Sequence, residues 1–197
     1  MHKLRYQAIL LCSFLVISLL VPLRAHADND DNRYESKEKG FSIEFPKGWE
    51  QKEGFMGTTV VGLRPEKGDK EEFRENVNVV VEDLSKPWTL KDYVKANLTN
   101  MQKLLTDFKV VDRGTTTLNG ATAEWMTYYH RMGSYKLKVV VYMLVRSNRG
   151  YVITCSSVPD KFAHWESTFQ GVANSFTLAP ASAQSRNTDP NMNNPRP

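Results

Sequence analysis

Cysteine and histidine are scarce in this chain of 197 residues, which has two cysteines and four histidines. Three of these six residues lie in the first 27 positions, a segment predicted below to be removed, so the remaining chain has only Cys155, His130 and His164. A single cysteine cannot form an intrachain disulfide, so the fold must be stabilised by its core. The sequence also lacks Gly-x-Ser-x-Gly, His-x-x-x-His and Cys-x-x-Cys motifs, so it offers no recognised nucleophile or metal pair.

Long apolar runs are absent except near the start of the chain. Lys3 and Arg5 precede an apolar run over 8–23, and Ala25-His26-Ala27 follows it. This order predicts a signal peptide over 1–27, cleaved between Ala27 and Asp28. The run is shorter than the roughly 20 residues of a membrane span, so no transmembrane segment is expected in the mature chain. The predicted location is the periplasm or the extracellular space, or the thylakoid lumen in a photosynthetic host.

Excess positive charge is largely confined to the same segment. The whole chain has 26 lysines and arginines against 22 acids, a net charge of +4. Removal of Lys3, Arg5 and Arg24 leaves 23 against 22, a net charge of +1. Nucleic-acid binding needs a clustered basic surface, so a nucleic-acid partner is not expected.

Composition divides the rest of the chain into three parts. Residues 28–32 are acidic and polar and are predicted to be flexible. Residues 33–178 have the length of one domain. Residues 179–197 are rich in proline, asparagine and serine without any aromatic residue, and they are predicted to be disordered.

Hydrophobic periodicity within the domain predicts mostly strands. Phe41, Ile43 and Phe45 alternate with polar residues, as in a strand with one buried face. Asn119-Gly120 predicts a hairpin turn because both residues tolerate positive φ, and the charged stretch 65–74 is interpreted as a loop. The predicted strands are 41–45, 57–63, 76–82, 109–118, 121–131, 135–146 and 151–157.

Two amphipathic helices are also predicted. Residues 89–107 place apolar side chains at three- and four-residue spacings, and Thr89 can cap the start. Pro159 suits the first turn of the second helix. Strand 135–146 becomes apolar on both faces, so the sheet needs cover on both sides. The predicted fold is α+β, with an antiparallel, largely meandering sheet sandwiched by helices.

Several segments resemble the PsbP-like superfamily, whose Mog1/PsbP-like fold includes exported bacterial proteins of the PsbP C-terminal-domain type. These segments are Gly-Phe-Ser-Ile-Glu-Phe-Pro-Lys-Gly-Trp at 40–49, Glu-Asn-Val-Asn-Val-Val-Val at 75–81, Thr-Leu-Lys-Asp-Tyr-Val at 89–94, Leu-Asn-Gly at 118–120 and Ser-Phe-Thr-Leu at 175–178. The likeness spans 33–178. It implies about six antiparallel strands between helices and a non-catalytic accessory or binding role.

No cofactor is assigned from the sequence. An acidic loop contains Glu66, Asp69, Glu71, Glu72 and Glu75, but it is interleaved with basic residues and lacks EF-hand spacing. We therefore interpret it as a solvated loop. The family resemblance alone introduces calcium or another divalent metal, and none of the family's metal-binding residues is matched here.

Aromatic residues are the best candidates for a binding surface. The sequence favours Trp88, Trp125, Tyr128 and Tyr129, with Trp125 and Tyr129 on one face of their strand. The first functional hypothesis is an exported non-enzymatic domain that binds a protein or an envelope component. The alternatives are an extrinsic or assembly subunit of photosystem II in a photosynthetic host, and an exported hydrolase.

The hydrolase alternative depends on the two histidines. His130 or His164 would act as a general base, which requires an oriented carboxylate and a hydroxyl nucleophile. Packing or surface roles are favoured for both histidines. Cys155 lies in a strand without a basic neighbour in sequence and is interpreted as a small core residue.

Overall fold

The structure is a computed structural model that describes residues 32–66, 68 and 73–180. The predicted signal peptide, with Ala25, Ala27 and Asp28, lies outside the described residues, as does the tail from position 181. The described elements are β1 (Arg33–Ser36), β2 (Phe41–Glu44), β3 (Glu50–Glu53), β4 (Val60–Leu63), β5 (Asn76–Asp83), α1 (Leu90–Leu104), β6 (Thr106–Leu118), β7 (Ala121–Met132), β8 (Tyr135–Arg146), β9 (Arg149–Ser157), α2 (Pro159–Ser175) and β10 (Thr177–Leu178).

The main sheet has seven strands in the order β3-β4-β5-β9-β8-β7-β6, and every neighbouring pair is antiparallel. Strands β6 to β9 form a meander of hairpins. The first hairpin turns at Asn119 and Gly120, whose φ angles are 43° and 82°, as the Asn-Gly pair predicts. The predicted α+β fold with a largely meandering antiparallel sheet is confirmed.

A second, three-stranded sheet has the order β1-β2-β10. Strand β2 lies in its centre, with Ile43 opposite Tyr34 of β1 and Phe41 opposite Leu178 of β10. The described strands are therefore divided between sheets of seven and three, rather than forming one sheet of about six. Strands β1, β3 and β10 are absent from the strands that periodicity predicts, and only the family resemblance points to the segment of β10.

Each face of the main sheet is covered by one helix. Strand β8 supplies both hydrophobic clusters, since Val140, Tyr142 and Leu144 face α2 while Val139, Val141 and Met143 face α1. The second sheet closes the α2 side, where the rings of Phe41 and Phe176 stack with centroids 5.4 Å apart. The expectation that helices cover both faces is confirmed.

Helix α1 begins as predicted and ends earlier. Thr89 Oγ1 accepts a hydrogen bond of 3.1 Å from the Asp92 amide, which satisfies a free amide of the first turn. The predicted end at position 107 is wrong, because Leu105 is already extended at φ −93° and ψ 129°. Phe108 still packs on this side, with its ring centroid 5.1 Å from that of Tyr128, but it does so from β6. In the sequence Phe108 follows Leu104 and Leu105 at helical spacing, and this is why the predicted helix extended too far.

The strand predicted over 57–63 begins later than expected. Phe55–Gly57 form a short 3-10 helix, and the strand starts at Val60. Met56 and Gly57 have φ angles of 49° and 85°, a backbone conformation that a strand cannot contain. In the described part of the chain, neither helix has the length and apolar character that a bilayer span requires.

Candidate functional site

The four aromatic residues predicted to form a binding surface do not lie together. Tyr128 is fully buried on the α1 side. Trp88 is half-buried on the same side, with Lys86 Nζ 5.5 Å from its ring centroid. Tyr129 lies on the α2 face of β7, where Lys136 Nζ is 5.2 Å from its ring centroid. Trp125, also on that face, lines a cavity.

That cavity is a groove between α2 and strands β6, β7 and β8. Its volume is about 360 Å³. Two aromatic rings and five hydrogen-bonding side chains contribute to its wall. The lining residues are Thr116, Trp125, Thr127, Val140, Tyr142, Glu166, Gln170 and Asn174.

We call this cavity the α2 groove. The register of β7 and β8 determines which side chains form its sheet side. Trp125 of β7 lies directly opposite Tyr142 of β8, and Thr127 lies opposite Val140. Opposed residues in neighbouring strands project from the same face, so both aromatic rings reach the groove together.

Gly114 of β6 makes room for the Trp125 indole. It lies opposite Trp125 in the register of β6 and β7. A Cβ atom at this glycine would lie 3.0 Å from the indole Nε1 and 3.1 Å from two ring carbons. The missing side chain therefore allows the ring to lie close against β6, with part of its surface exposed in the groove.

Helix α2 supplies the polar wall. Glu166, Gln170 and Asn174 recur every four residues and therefore form one stripe along the helix. Buried Phe162 and Phe169 hold the adjoining side of α2 against the core, so the stripe lies at the edge of the contact between α2 and the sheet.

Contacts near the hairpin turn fix the end of this stripe. Asn119 Nδ2 donates hydrogen bonds to the carbonyls of Asn174 at 2.8 Å and Phe176 at 2.9 Å. These bonds connect the end of α2 to the turn between β6 and β7, the strands that form the other wall of the groove.

The groove has one charged lining residue, Glu166, among those described. Burial, with smaller contributions from Cys155 and Glu166, raises the pKa of Tyr142 to about 12. The Tyr142 hydroxyl therefore stays protonated at neutral pH and remains a hydrogen-bond donor. The groove combines aromatic surface, neutral polar groups and a single acidic side chain.

The histidines lie elsewhere. His130 is buried on the α1 side, with Nδ1 3.3 Å from the Arg131 carbonyl, and burial lowers its pKa. His164 is exposed on α2, edge-on to Trp165 with centroids 5.2 Å apart. Neither imidazole is hydrogen-bonded or ion-paired to a carboxylate within the described ranges. Cys155 is a buried free thiol in the core on the α2 side.

The described residues of the acidic loop do not converge. Exposed Glu66 pairs with Arg74 Nη1 at 3.2 Å, whereas Glu75 is buried and paired with Arg64. Asp69, Glu71 and Glu72 lie outside the described residues. Over the positions that the structure describes, no group of three or more histidines, cysteines or acids is arranged to hold a metal ion.

Sequence reasoning missed most of the α2 groove. Glu166, Gln170 and Asn174 form the polar side of an amphipathic helix, which normally faces solvent. Tyr142 belongs to an apolar run that is typical of a core strand. The four-residue spacing of these three side chains is visible in the sequence, but their position beside Trp125 depends on how α2 crosses the sheet.

The family model described as PsbP matches residues 29–178. No curated protein matches the chain. Among solved structures, the cyanobacterial PsbP (CyanoP) of Synechocystis is similar, at 17% identity over 74% of this chain and 91% of that one, with a TM-score of 0.57.

Two further structures share the fold. LpqN of Mycobacterium tuberculosis, described as involved in cell envelope biogenesis, is 12% identical over 79% of this chain and 88% of its own, with a TM-score of 0.58. The Ran-binding protein Mog1p of Saccharomyces cerevisiae is 13% identical over 78% of this chain and 97% of its own, with a TM-score of 0.54. At these identities the likeness establishes the fold alone.

Proposed function

This chain belongs to the PsbP family, and we propose that it is an exported, non-catalytic domain that binds a protein or an envelope component in the α2 groove. The observation that supports this role is the partly exposed Trp125 surface beside a stripe of polar side chains in a concave site of about 360 Å³. Ligand sites commonly have volumes of roughly 300 to 1,000 Å³ and combine apolar walls with a few polar groups.

The positions of the ionisable groups support a non-catalytic role. General-base catalysis needs a histidine within hydrogen-bond reach of its nucleophile and oriented by a third group. His130 is instead enclosed beneath α1, and His164 packs its ring against Trp165. The groove itself offers Glu166 and hydroxyl groups without an imidazole among its described lining residues.

The leader pattern supports an envelope or extracellular location, because a basic start, an apolar run and Ala-His-Ala form the signal for export. Of two proteins of the same fold, LpqN is described as involved in cell envelope biogenesis and Mog1p as a Ran-binding protein. A binding role for this chain is consistent with both.

Site-specific photo-crosslinking in the intact envelope of the native host tests the proposal. A photoreactive amino acid is introduced at exposed Gln170 in the groove, and a matched one at exposed Lys95 on α1. We expect a discrete crosslinked product from position 170 and none from position 95. Trp125→Ala should abolish the product from position 170.

Equal labelling from both positions, or labelling from position 170 that survives Trp125→Ala, would refute a binding role for this groove. Absence of the protein from the envelope and culture medium would refute the proposed export.

A further inference from the structure

We propose that the ligand of the α2 groove is a neutral carbohydrate, bound with a sugar ring stacked on Trp125 and its hydroxyl groups on the α2 stripe. This inference rests on the proposed binding function and specifies the chemistry of the ligand. It follows from the aromatic surface, the hydrogen-bonding inventory and the charge of the groove.

Trp125 supplies the stacking surface. An aromatic ring has a negative face, which attracts the weakly positive C–H bonds on the apolar side of a pyranose. Gly114 lets the indole approach β6 closely, because a Cβ there would lie 3.0 Å from the indole Nε1. Tyr142, directly opposite on β8, adds a second aromatic wall.

The polar wall fits hydroxyl groups, each of which both donates and accepts a hydrogen bond. The amides of Gln170 and Asn174 can do the same through one side chain, whereas Glu166 accepts only. Tyr142 retains its proton at neutral pH and can donate. A row of donors and acceptors beside an aromatic face matches a ring with an apolar side and a hydroxyl-bearing edge.

The charge of the groove disfavours acidic ligands. The described lining contains Glu166 and no lysine or arginine. Phosphate and carboxylate groups are normally bound by arginine, lysine or helix N-termini, and Glu166 would repel them. Phosphorylated and uronic-acid sugars are therefore disfavoured relative to neutral ones.

An extended peptide fits this site less well. Peptides that add to a sheet require a strand edge with free backbone groups. Strands β7 and β8, which carry Trp125 and Tyr142, are paired on both edges, so the centre of the groove offers side chains of a sheet face. The edge strand β6 borders the groove, but a peptide added to its edge would lie beside the aromatic rings rather than on them. An organic cation stacked on Trp125 beside Glu166 is the remaining competitor, and the experiment includes it.

The test follows the indole N–H resonance of Trp125 by NMR in the purified chain, assigned with Trp125→Phe. Maltotetraose, cellotetraose and chitotetraose are titrated separately, with tetragalacturonate as an acidic sugar and tetramethylammonium as a cation. We expect a saturable shift with at least one neutral tetrasaccharide and none with the other two probes. The Trp88 resonance should not move.

Gln170→Ala and Asn174→Ala should each weaken that binding by about tenfold, while Lys95→Ala should leave it unchanged. All three side chains are exposed, so these variants are expected to fold. No shift with any neutral sugar, or equal shifts with tetragalacturonate or tetramethylammonium, would overturn the carbohydrate assignment. If crosslinking at position 170 still depends on Trp125 in that case, the binding function stands and only its ligand class is wrong.

Discussion

Glu75 and Arg64 form a buried ion pair where β4 leaves the sheet and β5 enters it. Their side chains are 1% and 8% exposed. Ser157 Oγ donates a hydrogen bond of 3.2 Å to Glu75 Oε1, and Arg64 Nη1 donates one of 3.0 Å to the Pro65 carbonyl. The charges are therefore compensated on both sides, and loss of either partner would leave a buried charge unpaired.

Glu75→Ala should lower the free energy of unfolding by about 3 to 5 kcal/mol, since it leaves the Arg64 guanidinium buried without a counter-charge. The matched control is Glu44→Ala, which removes the carboxylate of an exposed pair with Arg33, 3.2 Å apart. Exposed pairs contribute at most about 1 kcal/mol. Urea denaturation of both variants measures the difference, and equal losses would contradict the importance of burial.

At the scale of elements, the sequence revealed the long strands and helices with periodic apolar residues and missed the short strand β3. Strand β3, Glu50–Glu53, contains no apolar residue, so alternation could not identify it. It is an edge strand whose Glu50 pairs with Arg74 at 2.9 Å, and charged residues on an edge also discourage pairing with other chains.

The α2 groove was predictable only in part. Trp125 is recognisable from the sequence because an aromatic residue on an alternating strand must face one side of the sheet. Its neighbours Gln170 and Asn174 are separated from it by more than forty residues of chain. Periodicity gives the face of each element, whereas the crossing of α2 over the sheet depends on long-range packing.

Contact between α1 and β9 depends on Gly150. A Cβ atom at this position would lie 2.3 Å from Tyr93 Cζ and 2.5 Å from its Oη. Tyr93 Oη donates a hydrogen bond of 2.7 Å to Glu82 Oε2 on β5. Gly150→Ala should therefore displace the buried Tyr93 ring, disturb this bond and destabilise the fold by about 1 to 3 kcal/mol.

Gly171→Ala is the control for that variant. Gly171 lies in α2, and a Cβ atom added there would have nothing within 4 Å of it. Alanine in an open helix site should stabilise the protein by up to about 1 kcal/mol. Thermal unfolding followed by circular dichroism would show opposite shifts for the two substitutions. A Gly150→Ala protein as stable as the wild type would show that Tyr93 adjusts freely.

At the scale of the whole molecule, both ends of the domain are held by the segment that contains β2. Phe45 exchanges hydrogen bonds with Asn32, through the Asn32 carbonyl at 2.8 Å and Asn32 Nδ2 at 2.7 Å. The Ala179 amide donates one of 2.9 Å to the Gly40 carbonyl. The described contacts thus extend from position 32 to position 179, one residue beyond the end of the family match at 178.

Cleavage after Ala27 should leave every described contact of this domain in place, because the described residues begin at Asn32. We expect exported protein to begin at Asp28, since signal peptidase requires small residues such as Ala25 and Ala27. Ala27→Leu should block processing and retain the longer species. N-terminal sequencing and intact mass of the exported material measure both outcomes. Exported wild-type protein that retains Met1 would contradict the cleavage, and normal processing of Ala27→Leu would place the cut elsewhere.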